Sequence, residues 1–501
     1  MASTRVGNAG PPPKKKTTIL QYKGCRHARK VHRWPAPMNV NAYLIAASMA
    51  KGVFRAAFRF ENNLTEGHYS LAKGLMGSHG LRKMRRTLGL ANESGVSKYG
   101  KNWLNCVDGF SQDNLPVKRH IRGVKCGAGL QHVVLPAPVI GTWCNRDPEV
   151  LVVECDIPEG MIEGSAAGVA EVEVIWTFAL SCDSVQDCET MARSWRLPYD
   201  RGSKGKFQIK TSVNHLCVLC ASQQKCRKLT VCSQPLYGYP RMERASPNFL
   251  HDWLRYHLAV GVDHFYIYDA DGSFADALAP YIEASVVSYF PHFGSELGRS
   301  IKSQVKNARI PLCAEPHAYA HCATENMRVS DWIMLLHGPD EYLSMPGAVR
   351  KRARLEELLD SMSKKRHWAT YGYLAHAPVA RLPQCRDSPS VSALVCSRLR
   401  AGRPWDLDRA TPLINPDTCT LPCAEGCECA PRIDLQKNQR IKPFFPPGMM
   451  QVYHYVELLP KDVGRCSIIM GGECEYLVPD GDEHVAVVPM LRNRSIASLA
   501  A

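Results

Sequence analysis

The chain has 501 residues, of which 45% are hydrophobic and 22% charged, values typical of a soluble globular protein with two or three domains. Its formal net charge of +15 suggests a nucleic-acid-binding protein, but the excess lies near the N-terminus. Residues 1–60 contain 12 Lys or Arg and no acid, whereas residues 126–501 contain 39 basic and 42 acidic residues. The composition therefore excludes a strongly basic body and predicts a basic, disordered arm over residues 1–60.

The arm contains clusters such as Lys14-Lys15-Lys16, which can contact anionic membranes or nucleic acid. A solvated extension or a targeting segment is the simpler interpretation, and we expect no nucleic-acid partner. The most apolar run, NVNAYLIAASMA at residues 39–50, has 12 residues, fewer than the roughly 18–20 that a spanning helix needs. We therefore expect a soluble chain, or one whose membrane anchor is missing from this sequence.

Short β-branched runs dominate the next recognisable region, after a linker with little periodic pattern at residues 61–125. Between residues 126 and 230 these runs are HVVLPAPVI, EVLVVEC, AEVEVIWTFAL and HLCVLC, and Pro, Gly and Asp separate them. Such spacing predicts a small antiparallel β-rich domain over residues 126–230.

Cysteine is abundant, with 21 residues, and two groups are closely spaced. These groups are Cys217, Cys220, Cys226 and Cys232, then Cys419, Cys423, Cys427 and Cys429. The second group fits either disulfides or a zinc site, and disulfides are favoured if the chain enters the secretory lumen. Sequons at Asn63, Asn92 and Asn493 would permit glycosylation there.

Helical and strand patterns alternate from residue 231 onward. PNFLHDWLRYHLAVG at residues 247–261 has apolar residues at helical spacing and ends on a glycine, which predicts a helix. The strand VDHFYIY follows it, and PHAYAHCATENMRVS predicts a second helix before the strand DWIMLLH. This alternation predicts an α/β domain with a mostly parallel sheet, whose ligands bind beyond the carboxyl ends of the strands.

Acidic residues follow two of these strands. Asp269 and Asp271 are placed to bind ribose hydroxyls or a base, although DADGS is also ordinary turn chemistry. Asp340 and Glu341 follow the strand DWIMLLH, and one or two carboxylates with substrate phosphates can hold Mg²⁺ or Mn²⁺. His454, after another apolar run, is either a metal or phosphate contact or a structural histidine. Arg440 and Lys442 are candidate diphosphate partners or solvated loop cations.

Four blocks in this order resemble glycosyltransferase family 92. The first contains Asp252-Trp253, Tyr256-His257, Gly261-Val262 and Tyr268-Asp269, and the second, AYAHCATENMRVSDWIMLLHGPDEYL, is similar to the family's Tyr-x-x-Cys helix and its Asp-x-Asp-Glu-Phe metal motif. The third is WATYGYLAH, and the fourth is QRIKPFFPPGMMQVYHY, which ends near His454. Together the blocks cover about residues 231–460.

The resemblance implies a GT-A (Rossmann-like) glycosyltransferase domain over residues 231–480, with a C-terminal tail at residues 481–501. It implies transfer of a sugar, typically galactose, from a UDP-sugar donor to a glycan or glycoprotein acceptor, with Mn²⁺ or Mg²⁺, in the Golgi or secretory-pathway lumen. Asp340 and His454 would bind the metal, and Asp340 and Glu341 would be catalytic. The nucleotide-sugar site would contain Asp269, Asp271, Arg241, Glu243 and Lys442.

One position departs from the family's metal motif. Where the family has its first acid, this chain has Gly338, followed by Pro339. Since glycine supplies no ligand, a non-catalytic glycosyltransferase-like protein that binds carbohydrate or nucleotide is the first alternative. A nucleic-acid-binding protein that uses residues 1–125 is the second, and it would show a steep salt dependence.

Overall fold

The computed structural model describes part of the chain. The described residues are 42–50, 53–60, 121–130, 133–137, 139–143, 150–156, 171–180, 206–214, 227–294, 315–327, 329–345, 353–364, 371–374, 376–379, 411–417, 445, 449–455 and 495–496.

Two four-stranded antiparallel sheets make up the N-terminal part. Their strands are β1 (Ala42–Ala50), β2 (Val53–Phe60), β3 (Ile121–Leu130), β4 (Val133–Ala137), β5 (Val139–Trp143), β6 (Val150–Asp156), β7 (Glu171–Leu180) and β8 (Lys206–Asn214). The strand orders are β1-β2-β6-β5 and β4-β3-β7-β8. Phe54 and Phe58 of β2 contact the ring of Trp176 on β7, so apolar side chains of both sheets share one core.

The prediction of a disordered arm is wrong for its last part, because residues 42–50 and 53–60 form paired antiparallel strands. Small and aromatic residues, among them Ala56, Ala57 and Phe58, are fully buried there, and this burial outweighs the effect of the neighbouring charges. The apolar run considered as a membrane segment is thus largely β1. Within the described ranges no helix is long and apolar enough to cross a membrane.

The strands of the N-terminal part extend beyond the boundaries expected from the sequence. Three of the predicted runs form β4 with β5, β6 and β7, while HLCVLC and the tail from residue 481 fall almost wholly outside the described residues. β3 begins at Ile121, inside the expected linker, and β1 and β2 come from the expected arm. Pairing between strands distant in the chain sets these limits, and local composition does not report it.

The second part is α/β and begins with β9 (Arg227–Ser233), four residues before the expected domain boundary. It continues with α1 (Tyr239–Ala245), α2 (Phe249–Val260), β10 (His264–Tyr268), α3 (Ala275–Glu283), β11 (Val287–Phe290), α4 (Glu315–Glu325), β12 (Ser330–Leu336), β13 (Glu341–Ser344), α5 (Ala353–Ser363), β14 (Tyr371–Leu374), β15 (His376–Val379), β16 (Thr411–Ile414) and β17 (Gln451–Tyr455). The predicted helix at 247–261 is α2, which ends at Gly261 with φ 109°, and the second predicted helix is α4.

A six-stranded sheet in the order β11-β10-β9-β12-β16-β14 forms the centre of this part. The first four strands are mutually parallel, and β16 is antiparallel to both of its neighbours. The predicted mostly parallel α/β sheet is therefore confirmed, and it fits a GT-A-like domain. A separate three-stranded sheet has the order β13-β17-β15.

The faces of the central sheet are covered differently. Alternate residues of β12 divide between two apolar clusters: Trp332, Met334 and Leu336 pack with α2, α3 and α5, whereas Ile333 and Leu335 pack with α4. Ile45, Ala57 and Val152 of the N-terminal sheets belong to the α4 cluster. The N-terminal part therefore shares a core with the α/β part through α4.

A buried ion pair and a disulfide reinforce this region. Arg55 of β2 is 1% exposed and bonds Glu154 of β6 at 2.7 Å, and its guanidinium also donates to the carbonyls of Pro416 at 2.7 Å and Ala323 at 3.5 Å. Cys232 of β9 is bonded to Cys322 of α4. A second disulfide, Cys126–Cys155, joins β3 to β6. Cys232 thus pairs outside the cysteine group that the sequence suggested.

Candidate active site

The carboxyl ends of β9, β10 and β12 meet at one edge of the central sheet. Beyond β9, the chain runs along this edge: Gln234 N–H donates to the Leu336 carbonyl at the end of β12, and Leu236 N–H donates to the Tyr268 carbonyl at the end of β10. In the sheet, β9 lies between β10 and β12. This edge is where parallel α/β sheets bind ligands, and both predicted acidic groups are there.

Asp269 at the end of β10 is engaged by its own loop. Its Oδ1 accepts the N–H groups of Asp271 and Gly272 at 3.1 and 2.9 Å, and its Oδ2 accepts Phe274 N–H at 2.9 Å and the Tyr289 hydroxyl at 2.6 Å. A carboxylate has about four acceptor positions, so these bonds occupy it. Burial raises the pKa of Asp269, and the bonds from Tyr289 and Phe274 offset part of that rise.

Asp271 joins this loop to the chain after β9. Its Oδ2 accepts Gly238 N–H at 2.8 Å, and its Oδ1 accepts Ser273 N–H at 3.1 Å. Although burial alone would raise it, the pKa of Asp271 is lowered by its hydrogen bonds, those from Ser273 and Gly238 among them. Gly238 has φ 71°, a left-handed conformation that glycine adopts without strain. Asp271 therefore holds the segment at Gly238 against the loop that follows β10, and it is more exposed than Asp269.

The other residues predicted to bind the donor are less directly placed at this edge. Arg241 and Glu243 lie on α1, which begins directly after Gly238; Arg241 is exposed, and Glu243 Oε1 accepts the N–H of Asn248 at 2.7 Å. Glu243 therefore caps the entry to α2. Lys442 and Arg440 lie outside the described residues, as does the second cysteine group.

Asp340 and His454 come together although 114 residues separate them. The Asp340 carboxylate, after β12, lies with its Oδ2 3.3 Å from Nε2 of His454 on β17, and both residues are more than nine-tenths buried. The pKa of His454 reflects opposing effects: burial lowers it, but the adjacent carboxylates of Asp340 and Glu341 raise it above its ordinary value. The structure thus brings together the two residues that the sequence predicted as metal ligands.

Glu341 belongs to the same turn, but its carboxylate faces its own segment. Oε2 accepts His337 N–H at 2.9 Å, and Oε1 contacts His337 Nδ1 at 2.9 Å. Glu341 is 1% exposed, and its N–H donates to the Gly338 carbonyl. The Glu341 side chain therefore closes the turn at residues 337–341, which contains Asp340.

Sequence reasoning missed His337 and the roles of three side chains on α2. Trp253, Tyr256 and His257 each form a hydrogen bond with the main chain of β13, the strand that begins at Glu341. The resemblance singled out these three residues, but it gave no contact for them. Their spacing of i, i+3 and i+4 placed them on one helix face, which was the available signal.

The Asp340–His454 pair fits a divalent cation. Two ligands at right angles in an octahedral site, each about 2.1 Å from the ion, lie roughly 3 Å apart, close to the observed 3.3 Å. One carboxylate and one imidazole suit Mn²⁺ or Mg²⁺ when substrate phosphates and water complete the shell. In the described part of the chain no set of three or more His, Cys, Asp or Glu side chains is arranged to hold a metal.

Comparison with known protein families gives a match within the α/β part. The model of glycosyltransferase family 92 matches residues 227–377, from the first residue of β9 into β15, and this match includes Gly338, Asp340 and Glu341 but not His454. No curated protein matches the chain. The resemblance seen in the sequence motifs is thereby confirmed: the chain carries a glycosyltransferase family 92 domain over residues 227–377.

Proposed function

We propose that the protein is a metal-dependent glycosyltransferase of the GT-A type, which transfers a sugar, galactose being the first candidate, from a UDP-sugar to a glycan or glycoprotein. The observation that carries this proposal is the buried Asp340–His454 pair beyond the carboxyl end of β12. Its support is the family match together with the parallel order β11-β10-β9-β12, whose carboxyl edge is the expected position for a nucleotide.

In this proposal the residues beyond the carboxyl ends of β9, β10 and β12 have different roles. Asp340 and His454 would hold Mn²⁺, and the bound ion would supply positive charge next to the leaving diphosphate. Glu341, held by His337, orients Asp340. Asp269 and Asp271 shape the loop at residues 269–274 against Gly238, so they position the donor pocket through the backbone. Arg241 and Lys442 remain candidate partners for the diphosphate.

A donor screen tests the proposal. The purified full chain would be incubated with UDP-sugars, Mn²⁺ and glycan acceptors, and compared with Asp340→Ala and with Asp360→Ala, which removes an acid from the exposed face of α5. We expect Mn²⁺-dependent turnover that Asp340→Ala abolishes and Asp360→Ala retains. Equal background rates for all three proteins would refute the enzyme proposal.

A non-catalytic binding protein is the alternative that a specific observation favours, since Gly338 removes one carboxylate from the family's motif. It predicts that a UDP-sugar binds in the presence of Mn²⁺ without turnover. Calorimetric titration with UDP measures binding, which both functions predict. The activity screen separates them, because only the enzyme releases UDP from the donor.

We further propose that the protein acts in the Golgi or secretory-pathway lumen, with membrane association through an anchor that this sequence does not reveal. The disulfides Cys126–Cys155 and Cys232–Cys322 support an oxidising compartment. Expression in eukaryotic cells tests this location: glycans at Asn63, Asn92 or Asn493 would shift the mobility of the chain until a glycosidase removed them. A chain without glycans whose cysteines stay reduced in cells would contradict the proposal.

A further inference from the structure

The strand β13, which follows Asp340, has its two edges occupied in different ways. One edge pairs antiparallel with β17, with Glu341 opposite His454 and Leu343 opposite Val452. The other edge faces side chains of α2. Trp253 Nε1–H donates to the Glu341 carbonyl at 2.7 Å, and the Tyr256 hydroxyl donates to the Leu343 carbonyl at 2.7 Å.

His257 of α2 forms a third hydrogen bond with β13, and its two contacts determine the protonation state of the ring. His257 Nδ1 lies 2.8 Å from the Trp253 carbonyl, and the Leu343 N–H donates to His257 Nε2 at 3.2 Å. Since a carbonyl can only accept and an amide N–H can only donate, the ring is neutral with its proton on Nδ1. The imidazole is fully buried and stacks on Tyr342, with ring centroids 5.6 Å apart.

These contacts also show which main-chain groups of β13 face α2 and which face β17. Glu341 and Leu343 direct their main-chain groups toward α2, so the groups of Tyr342 and Ser344 are those that face β17. Glu341 and His454 are consequently a non-hydrogen-bonded pair, the kind in which antiparallel strands bring opposing side chains closest together. α2 and β17 therefore contact alternate residues of β13, and the pairing with β17 places His454 opposite Glu341, next to Asp340.

We propose that Trp253, Tyr256 and His257 are positioning residues for the Asp340–His454 metal site. They hold the edge of β13 that faces α2, and through it the peptide that follows Asp340, in the arrangement that brings Asp340 next to His454. Metal ligands need fixed orientation, and losing an outer contact typically weakens metal affinity. This inference rests on the proposed function, because it assigns these residues a role toward the metal.

The test measures Mn²⁺ affinity of the full chain by calorimetry or by electron paramagnetic resonance of free Mn²⁺. Tyr256→Phe and Trp253→Phe each remove one donor to β13, and Tyr281→Phe is the matched control, because Tyr281 is equally buried but its hydroxyl contacts His251. We expect the first two variants to weaken Mn²⁺ binding roughly tenfold, with the control within about twofold of wild type.

Two substitutions at His257 test whether an acceptor for the Leu343 N–H preserves Mn²⁺ affinity. His257→Gln keeps an acceptor near the ε position for the Leu343 N–H, whereas His257→Leu removes it, so the glutamine variant should retain more Mn²⁺ affinity. If all variants lower the melting temperature while Mn²⁺ affinity stays at the wild-type value, the three residues are ordinary core residues and the proposal is overturned.

A second readout keeps the inference separable from the proposed function. If wild type binds no Mn²⁺, the metal role fails, and hydrogen exchange of the metal-free protein then decides whether α2 anchors β13. Faster exchange confined to residues 341–344 and 451–455 in Tyr256→Phe, relative to Tyr281→Phe, would support the anchoring. Equal exchange in the two variants would overturn it.

Discussion

Gly338 lies directly beneath the carboxylate of Asp340. A Cβ atom added at Gly338 would stand 2.8 Å from Asp340 Oδ1, closer than such contacts normally are. The glycine therefore lets the Asp340 side chain fold back over the turn while its other oxygen contacts His454. The missing acid of the family motif and the observed position of Asp340 are thus parts of one arrangement.

Restoring the acid by Gly338→Asp should move Asp340, since the contacted atom is the end of a side chain that can rotate. We expect Mn²⁺ affinity to rise several-fold, because a second carboxylate adds a ligand of the kind that Mn²⁺ and Mg²⁺ prefer. Calorimetric titration with Mn²⁺ measures the effect. Gly338→Ala adds the Cβ alone and should not strengthen binding; equal or weaker binding by Gly338→Asp would contradict the expectation.

Removing the charge of Asp340 should lower the affinity for Mn²⁺. Asp340→Asn keeps the size of the side chain but lowers its value as a ligand, and we expect Mn²⁺ affinity to fall at least about tenfold, with a similar fall for His454→Gln. The proposed site places both side chains on one ion, so the double variant should lose less than the two single losses combined. Additive losses in titrations of all three proteins would show that the residues do not act on the same ion.

Asp269 and Asp271 should differ sharply when each is changed to asparagine. Asp269→Asn replaces two acceptor positions by donors in a buried site already facing N–H groups, and we expect a loss of about 2–3 kcal/mol in the free energy of unfolding. Asp271→Asn should cost about 1 kcal/mol or less, because that residue is more exposed. Urea unfolding measures both. Equal, small losses would mean that Asp269 does not hold its loop.

How far the sequence predicted the molecule depends on the range of the interactions involved. The helix at 247–261 and the strand ending in Leu336 follow from local periodicity and a terminal glycine, so both were predictable. The strands β1 and β2 were not, because Arg55 counts as part of a basic arm until its partners Glu154 and Pro416 are known. The pairing of Asp340 with His454 required the family resemblance, since nothing local links residues 114 positions apart.

The pH dependence of stability should reveal the Asp340–His454 contact in the metal-free protein. The pKa of His454 is raised in the folded chain, so protonated His454 stabilises the fold; this contribution is complete below about pH 6.5, the ordinary histidine value, and disappears as pH rises through the raised value. Unfolding of wild type and His454→Gln in EDTA, from acid to alkaline pH, measures it. The stability advantage of wild type should shrink with rising pH, and an advantage that grows would contradict the contact.

The buried pair Arg55–Glu154 should matter more to stability than the ion pair of Lys228. Arg55→Met leaves the Glu154 carboxylate and the Pro416 carbonyl buried without their donor, and we expect a loss of about 3–5 kcal/mol in the free energy of unfolding. Lys228 bonds Asp331 at 2.9 Å, with both side chains about a quarter exposed, and it also bonds the exposed Asp360. Lys228→Met should therefore cost about 1 kcal/mol or less.

The double variant Arg55→Met with Glu154→Gln distinguishes the cost of the unpaired Glu154 charge from the cost of losing the Arg55 side chain. It removes the uncompensated buried carboxylate, so it should be more stable than Arg55→Met alone, although the Pro416 and Ala323 carbonyls still lack the guanidinium.

Since Arg55 reaches α4 and residue 416 from β2, all variants should unfold in one transition that includes both parts of the chain. A separate early transition of the N-terminal sheets, seen by calorimetry in Arg55→Met and in wild type, would show that the two parts are stable independently.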